Sequence, residues 1–226
     1  MSGPISRISH WVPAEVDETD ERDSSSFTEK KSLSAHTDGV VEKAVDFAAG
    51  CGVDSAVALA VEVAAILHDY GKCDARFQYV LNPQWEAARG WFAKGDDCSR
   101  REYERRVKDS GYPSGARHEF VSAALAEASE GWERGCDRDL AIHLIGTHHG
   151  HGRAMAPVWT GGDYDVCVKV AESDVTVPAS AQTAQLDSGW TDRYWALTRK
   201  YGWWGLAYLE AILRRADCVQ SREEQQ

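Results

Sequence analysis

No run of apolar residues is long enough to span a bilayer, and Met1 is followed by no signal-peptide pattern. The six cysteines include no C-x-x-C pair, which argues against a zinc ribbon or a disulfide framework and for free thiols in a reducing cytoplasm. The phosphate-binding loop G-x-x-x-x-G-K-[ST] is missing, so no ATP site of that kind is expected. Positive charge is in deficit. The net charge of −11 argues against a general nucleic-acid binder, although it leaves room for a local basic groove. What remains is a chain of 226 residues, enough to bury a large core as one domain. It carries nine tryptophans, several of them near the C-terminus.

The most informative stretch is the apolar run 57–67, which lacks Gly and Pro and reads as a buried helix stopped by Gly71. It ends by setting His68 and Asp69 side by side in the interior, at the negative end of the helix dipole, where a cation is favoured. An imidazole with a carboxylate suits Zn, Mn, Fe or Ni better than Ca or Mg. Taken alone, the pair reads more simply as a capped histidine and a solvated aspartate.

Further along the chain the pattern recurs. Residues 14–32 are polar, charged and Ser-rich and read as a mobile loop. A helical stripe at Val40, Val41, Ala44, Val45 and Ala48 ends at Gly50, with His36 near its start. Residues 75–81 form a short helix interrupted by Pro83. Arg100, Arg101, Arg105, Arg106 and Lys108 form the most basic stretch, offset by Glu102 and Glu104. It reads equally as a solvated helix face or as a wall that steers a phosphodiester chain. His118 opens another helix, and an apolar helix over 139–146 ends in Thr-His148-His149-Gly150. Thus two buried helices end in potential ligands. Weak alternation over 165–170 and 174–177 allows a small hairpin within 160–180. In the last helical pattern, Asp217 lies on the inner face one turn after Leu213. Such a carboxylate must be metal-bound or paired, for instance with Arg193. Trp195, Trp203 and Trp204 read first as core and second as a docking face. His10, His143 and His151 lie outside the pattern; His143 is read as structural.

Set in order, His36, His68-Asp69, His118, His148-His149 and Asp217 give H…HD…H…HH…D on helices throughout. With Lys72 in HDYGK, this resembles the HD nuclease domain of the type I CRISPR helicase-nuclease, within the HD superfamily of metal-dependent phosphohydrolases. SLSAH around His36, LHDYGKCDARFQ, HHG and RRADCVQSR carry the likeness. It covers about 32–82, 117–153 and 203–222, leaving 85–116 and 154–202 as inserts.

The resemblance implies an all-α HD bundle over residues 32–222, preceded by an N-terminal segment 1–31. It implies that His36, His68, Asp69 and Asp217 hold one metal and that Asp69 bridges to a second, held by His118, His148 and His149. Asp69, His68 and Lys72 would carry the chemistry, with Lys72 on the substrate phosphate or the leaving oxygen. Lys72 would bind substrate, and apart from the resemblance Arg100, Arg101, Arg105, Arg106 and Arg153 are expected to bind it by their charge. The cofactors would be two divalent transition ions (Mn, Ni, Co or Fe, with Mg admitted). Two such ions about 3.5–4 Å apart can clamp the attacking and leaving oxygens of an in-line phosphoryl displacement. The implied substrate is single-stranded DNA. With no ATP site in this chain, unwinding would come from an ATP-dependent helicase subunit or domain, alongside a crRNA-guided surveillance complex. Two other functions compete: an HD phosphohydrolase acting on nucleotides or small phosphate esters, and a non-catalytic docking subunit. A closed pocket would favour the first alternative; an open groove with Arg100, Arg101, Arg105 or Arg106 at its rim would favour the nuclease.

Overall fold

Ser32 accepts the Ala35 N–H at 3.2 Å and so caps helix α1 (Leu33–Cys51). The computed structural model describes residues 26–27, 31–112, 116–130, 132, 134–156, 165–170, 173–178 and 188–225. Most of the N-terminal segment 1–31, with its Ser-rich loop and His10, therefore lies outside the described residues. Helix α1 stops at Gly52, not at Gly50 as its apolar stripe suggested. Gly52 takes the left-handed conformation (φ 64°) and its N–H returns to the carbonyls of Ala48 and Ala49.

Asp54 caps α2 (Ser55–Leu67) through the Val57 N–H at 3.0 Å. Ala60, Val61, Ala64 and Ala65 on α2 are fully buried, and their small size lets neighbouring helices approach closely. Next come a 3-10 turn (Tyr70–Lys72), α3 (Ala75–Leu81), α4 (Arg100–Ser110), α5 (His118–Ala128) and α6 (Arg138–Thr147). Two further helices, α7 (Trp190–Tyr201) and α8 (Trp203–Glu223), complete the eight α-helices among the described residues. Helix α2 packs between α1 and α6, α5 lies against α6, and α8 runs along α1. The main core joins Val40, Ala44, Ala64, Leu140, Ile145, Leu206 and Leu213 among others. The fold is an all-α HD bundle.

Two small strand pairs decorate it. Strands β1 (Ser26–Phe27) and β2 (Gly95–Asp96) pair in parallel. The expected hairpin is present: β3 (Asp165–Val170) pairs antiparallel with β4 (Ser173–Pro178), and β4 packs on α5.

Two further sequence expectations are corrected. Gly71 does not stop α2, because the helix ends at Leu67 with His68 as its cap and Gly71 sits inside the 3-10 turn. Its role is close approach. A Cβ there would collide with the backbone carbonyl of His118, and the Gly71 N–H donates to Ser122 Oγ at 2.7 Å. The second correction concerns the terminal tryptophans. Trp190 is the one in the core, at 2% exposure, whereas Trp204 is 89% exposed, Trp203 57% and Trp195 39%. The chain turns at Gly202 between α7 and α8, so these rings project off the bundle.

Candidate metal centre

Three helix ends deliver the site. His68 caps α2 and Asp69 follows it; His148 caps α6 and His149 follows that; His118 is the first residue of α5. Each end faces inward because the apolar stripe of its helix is buried. Helices α1 and α8 add His36 and Asp217 from their facing sides. The structure thus brings together all seven residues expected to hold metal.

They fall into two clusters. Ligand atoms of His36, His68 and Asp217 lie within 4.8 Å of one another, and so do those of His118, His148 and His149. Asp69 stands between them with one oxygen for each. Oδ2 lies 3.5 Å from His68 Nε2 and 3.7 Å from His36 Nε2. Oδ1 lies 3.2 Å from His118 Nε2 and 3.9 Å from His148 Nε2. Asp217 Oδ1 is 3.3 Å from His36 Nε2, and His149 Nε2 is 3.2 Å from His118 Nε2. Arg193, the alternative partner for Asp217, instead pairs with Glu127 and Asp139.

The tautomers are set from behind. His68 Nδ1 donates to the Ala65 carbonyl at 2.7 Å, and His148 Nδ1 donates to the Ile145 carbonyl at 2.6 Å. Both bonds leave Nε2 as a lone-pair donor pointing into the site. His36 Nδ1 sits 3.1 Å from each oxygen of Glu224, one helical turn beyond Ser221. A buried arginine–carboxylate pair, Arg117 with Glu119, underlies His118.

The arrangement fits divalent ions. His68 Nε2 and His148 Nε2 are buried and have no hydrogen-bond partner among the described residues. Such orphaned acceptors are costly unless a ligand takes the lone pair. Electrostatics agree. Burial pushes His148 down to about 4, where a second proton beside His68 would be repelled, and holds His149 well below its usual range. His68 is lowered by burial too. These imidazoles are therefore neutral, the form that binds metal. Burial acts to raise Asp69, but Lys72, His68 and His118 outweigh it and hold the carboxyl well below its usual range. Burial is likewise outweighed at Asp217, chiefly by its hydrogen bond to His36. His36 itself is raised: burial opposes its charge, but the bonds to Asp217 and Glu224 prevail.

Lys72 Nζ lies 2.8 Å from Asp69 Oδ2 and 3.3 Å from the Ala93 carbonyl. The expected substrate-binding arginines sit differently. Helix α4 packs on α3, and Arg106 is turned into that seam, 3.4 Å from the Val80 and Leu81 carbonyls. Arg100 pairs with Glu104 and Arg105 with Glu102, both at the surface. Arg101, Arg105 and Lys108 line an open depression with Ser99, Glu102 and Glu104. Arg153 pairs with Glu210, which also contacts His143 Nε2 at 2.8 Å.

The sequence reading missed three residues. Gln78, in the matched FQ pair, is fully buried and clamps the following segment. Its amide donates to the Lys72 carbonyl at 2.8 Å and the Phe92 carbonyl at 2.9 Å, and accepts the Phe92 N–H at 2.9 Å. Glu224 follows the RRADCVQSR motif by two residues; its place one turn from Ser221 on the helix of Asp217 was the available signal. Lys94, in a segment read as an insert, gave no signal at all.

A helical bundle in which imidazoles and carboxylates converge as two clusters about one aspartate defines an HD domain, a class of metal-dependent hydrolases. The family model "Cas3, HD domain" matches residues 26–193, and the chain belongs to that family. The match runs through the two segments read as inserts as far as α7, and ends before Asp217 and Glu224. No curated protein and no solved structure matches the chain. HD domains bind divalent metals, and this family is associated in general with a helicase and a CRISPR complex. Among the described residues, no helix is long and apolar enough to cross a membrane.

Proposed function

We propose that this chain is a metal-dependent nuclease that degrades single-stranded DNA during type I CRISPR interference. It works in the cytoplasm with an ATP-dependent helicase subunit or domain and a crRNA-guided surveillance complex. The observation that carries the reading is the split of Asp69, whose two carboxylate oxygens each face one cluster of three ligands. The mixed nitrogen and oxygen donors suit Mn, Ni, Co or Fe, with Mg admitted. When bound, a pair of such ions supplies Lewis acidity and lowers the pKa of water.

The chain's own residues then have distinct tasks. Asp69 spans the clusters, and the carbonyl-anchored His68 keeps its Nε2 aimed at the same centre. Lys72 offers an ammonium to the phosphate or leaving oxygen from beside Asp69. Arg101, Arg105 and Lys108, with Arg100, draw the strand toward the domain by charge. Arg106 and Arg153 add positive charge from within their ion pairs.

Purified protein with Mn²⁺ or Ni²⁺ should shorten a labelled single strand, and Asp69→Ala should abolish this. Cleavage persisting in that variant would sink the proposal.

A second reading, hydrolysis of nucleotides or other small phosphate esters, is favoured by the depth of the ligands: His36, His68, Asp69, His118 and His148 are each at most 2% exposed. A panel of nucleotides assayed beside oligonucleotides separates the two.

A further inference from the structure

Lys94 heads the fully buried side chains by size, at 1% exposure. An ammonium loses its hydration on such burial, so the interior must compensate it. Its position is built rather than incidental. The Ala93 N–H donates to the Lys31 carbonyl at 3.0 Å, and the Leu33 N–H to the Trp91 carbonyl at 2.8 Å. These bonds bind the segment to the start of α1, and Gln78 clamps Phe92 from the other side. Lys94 Nζ donates to Ser221 Oγ, and Ser221 Oγ donates to Asp217 Oδ1 at 3.3 Å. That same Asp217 oxygen faces His36.

An ammonium has donors and no acceptor. Once it occupies a lone pair of Ser221, the hydroxyl proton is left to point at a different acceptor, and Asp217 is within reach. We propose that Lys94 is a positioning residue, fixing the Ser221 hydroxyl so that it holds Asp217 in the orientation that binds metal. The proposal rests on the metal-centre reading and adds a residue that reaches the site from outside the ligand motif.

The test is Mn²⁺ binding by titration calorimetry, independent of turnover. Ser221→Ala removes the link but keeps the lysine charge, and should weaken one of the two Mn²⁺ affinities about tenfold, the lower end of the range for outer ligand partners. Ser221→Thr keeps the hydroxyl and should bind as the parent does. Lys94→Met should cause a similar loss in the parent and no further loss in the Ser221→Ala background. Equal losses from Lys94→Met in both backgrounds would overturn the relay. So would tighter binding in both, which would mean that the lysine acts only by repelling the ion. If Lys94→Met does not fold, as judged by its thermal melt, Ser221→Ala and Ser221→Thr decide the matter: an unchanged isotherm in folded Ser221→Ala overturns the proposal. A parent chain that binds no Mn²⁺ overturns the metal-centre reading and the relay together.

Discussion

Asp217 Oδ1 meets His36 Nε2 at 3.3 Å, although the two residues are far apart along the chain. The contact exists because α8 packs along α1, burying Val40 and Ala44 against Leu213 and Ala216. Removing the carboxylate should therefore dismantle one cluster and leave the other. In Asp217→Asn, metal content by mass spectrometry should fall from two ions per chain to one. Cleavage of a single strand should drop by about two orders of magnitude or more, as expected when one ion of a two-metal clamp is lost.

Glu224 should matter nearly as much as a ligand. Its carboxylate holds His36 Nδ1 from both oxygens, an arrangement whose loss typically costs 10–100-fold in metal affinity. Glu224→Ala should reproduce roughly that loss in a Mn²⁺ titration. An unchanged isotherm would show that packing alone orients His36.

The two clusters should respond differently to pH. His148 is pushed down to about 4 from an ordinary 6.5, so the unfolded chain binds more protons between those values. Stability of the metal-free protein should thus rise with pH across that window and be lost as pH falls through it. His36 runs the other way. Its raised value means that its charged form stabilises the metal-free fold below pH 6.5, and that this contribution is lost as pH rises through the folded value. Because metal must displace that proton, affinity at the His36 cluster should tighten as pH rises from 6.5 through the raised folded value. Calorimetry in two buffers of different ionisation enthalpy would register the released proton.

Metal should also stabilise the fold. At a free Mn²⁺ concentration of about 100 times Kd, one site adds about 2.7 kcal/mol. For a domain of this size that is roughly 5–10 °C in Tm. A chelator should reverse the shift, and Asp69→Ala should abolish it. A melt that ignores both metal and chelator would count against a buried metal centre.

Gly71 tests how the ligands are held. The atom that a Cβ would meet is the backbone carbonyl of His118, which cannot rotate aside. Gly71→Ala should destabilise the fold by about 3 kcal/mol or more, as large steric conflicts in a core do. A chemical-denaturation midpoint close to that of the parent would show that α5 can shift without loss.

Local chemistry written along the chain determined much of this protein. The run 57–67, ending in His68-Asp69, and the helix ending in His148-His149 announced both the helices and the ligands, because burial of an apolar stripe fixes which way a helix end points. The hairpin at 165–178 was legible from alternation. Tertiary structure alone decided the rest. Both α1 and α7 pack on α8, so whether Asp217 would meet His36 or Arg193 depended on which of them lay on the side of α8 that carries Asp217. Gly71 looked like a helix stop, and only the nearness of α5 revealed its purpose. Trp203 and Trp204 have the composition of a core, yet the turn at Gly202 sends them outward. Lys94 carries no sequence signal, since a lone lysine between Trp91-Phe92-Ala93 and Gly95-Asp96-Asp97 is ordinarily solvated; Gln78 and α1 fold it inward. Spacing encodes what each element offers, whereas contacts between distant elements decide what that offer meets.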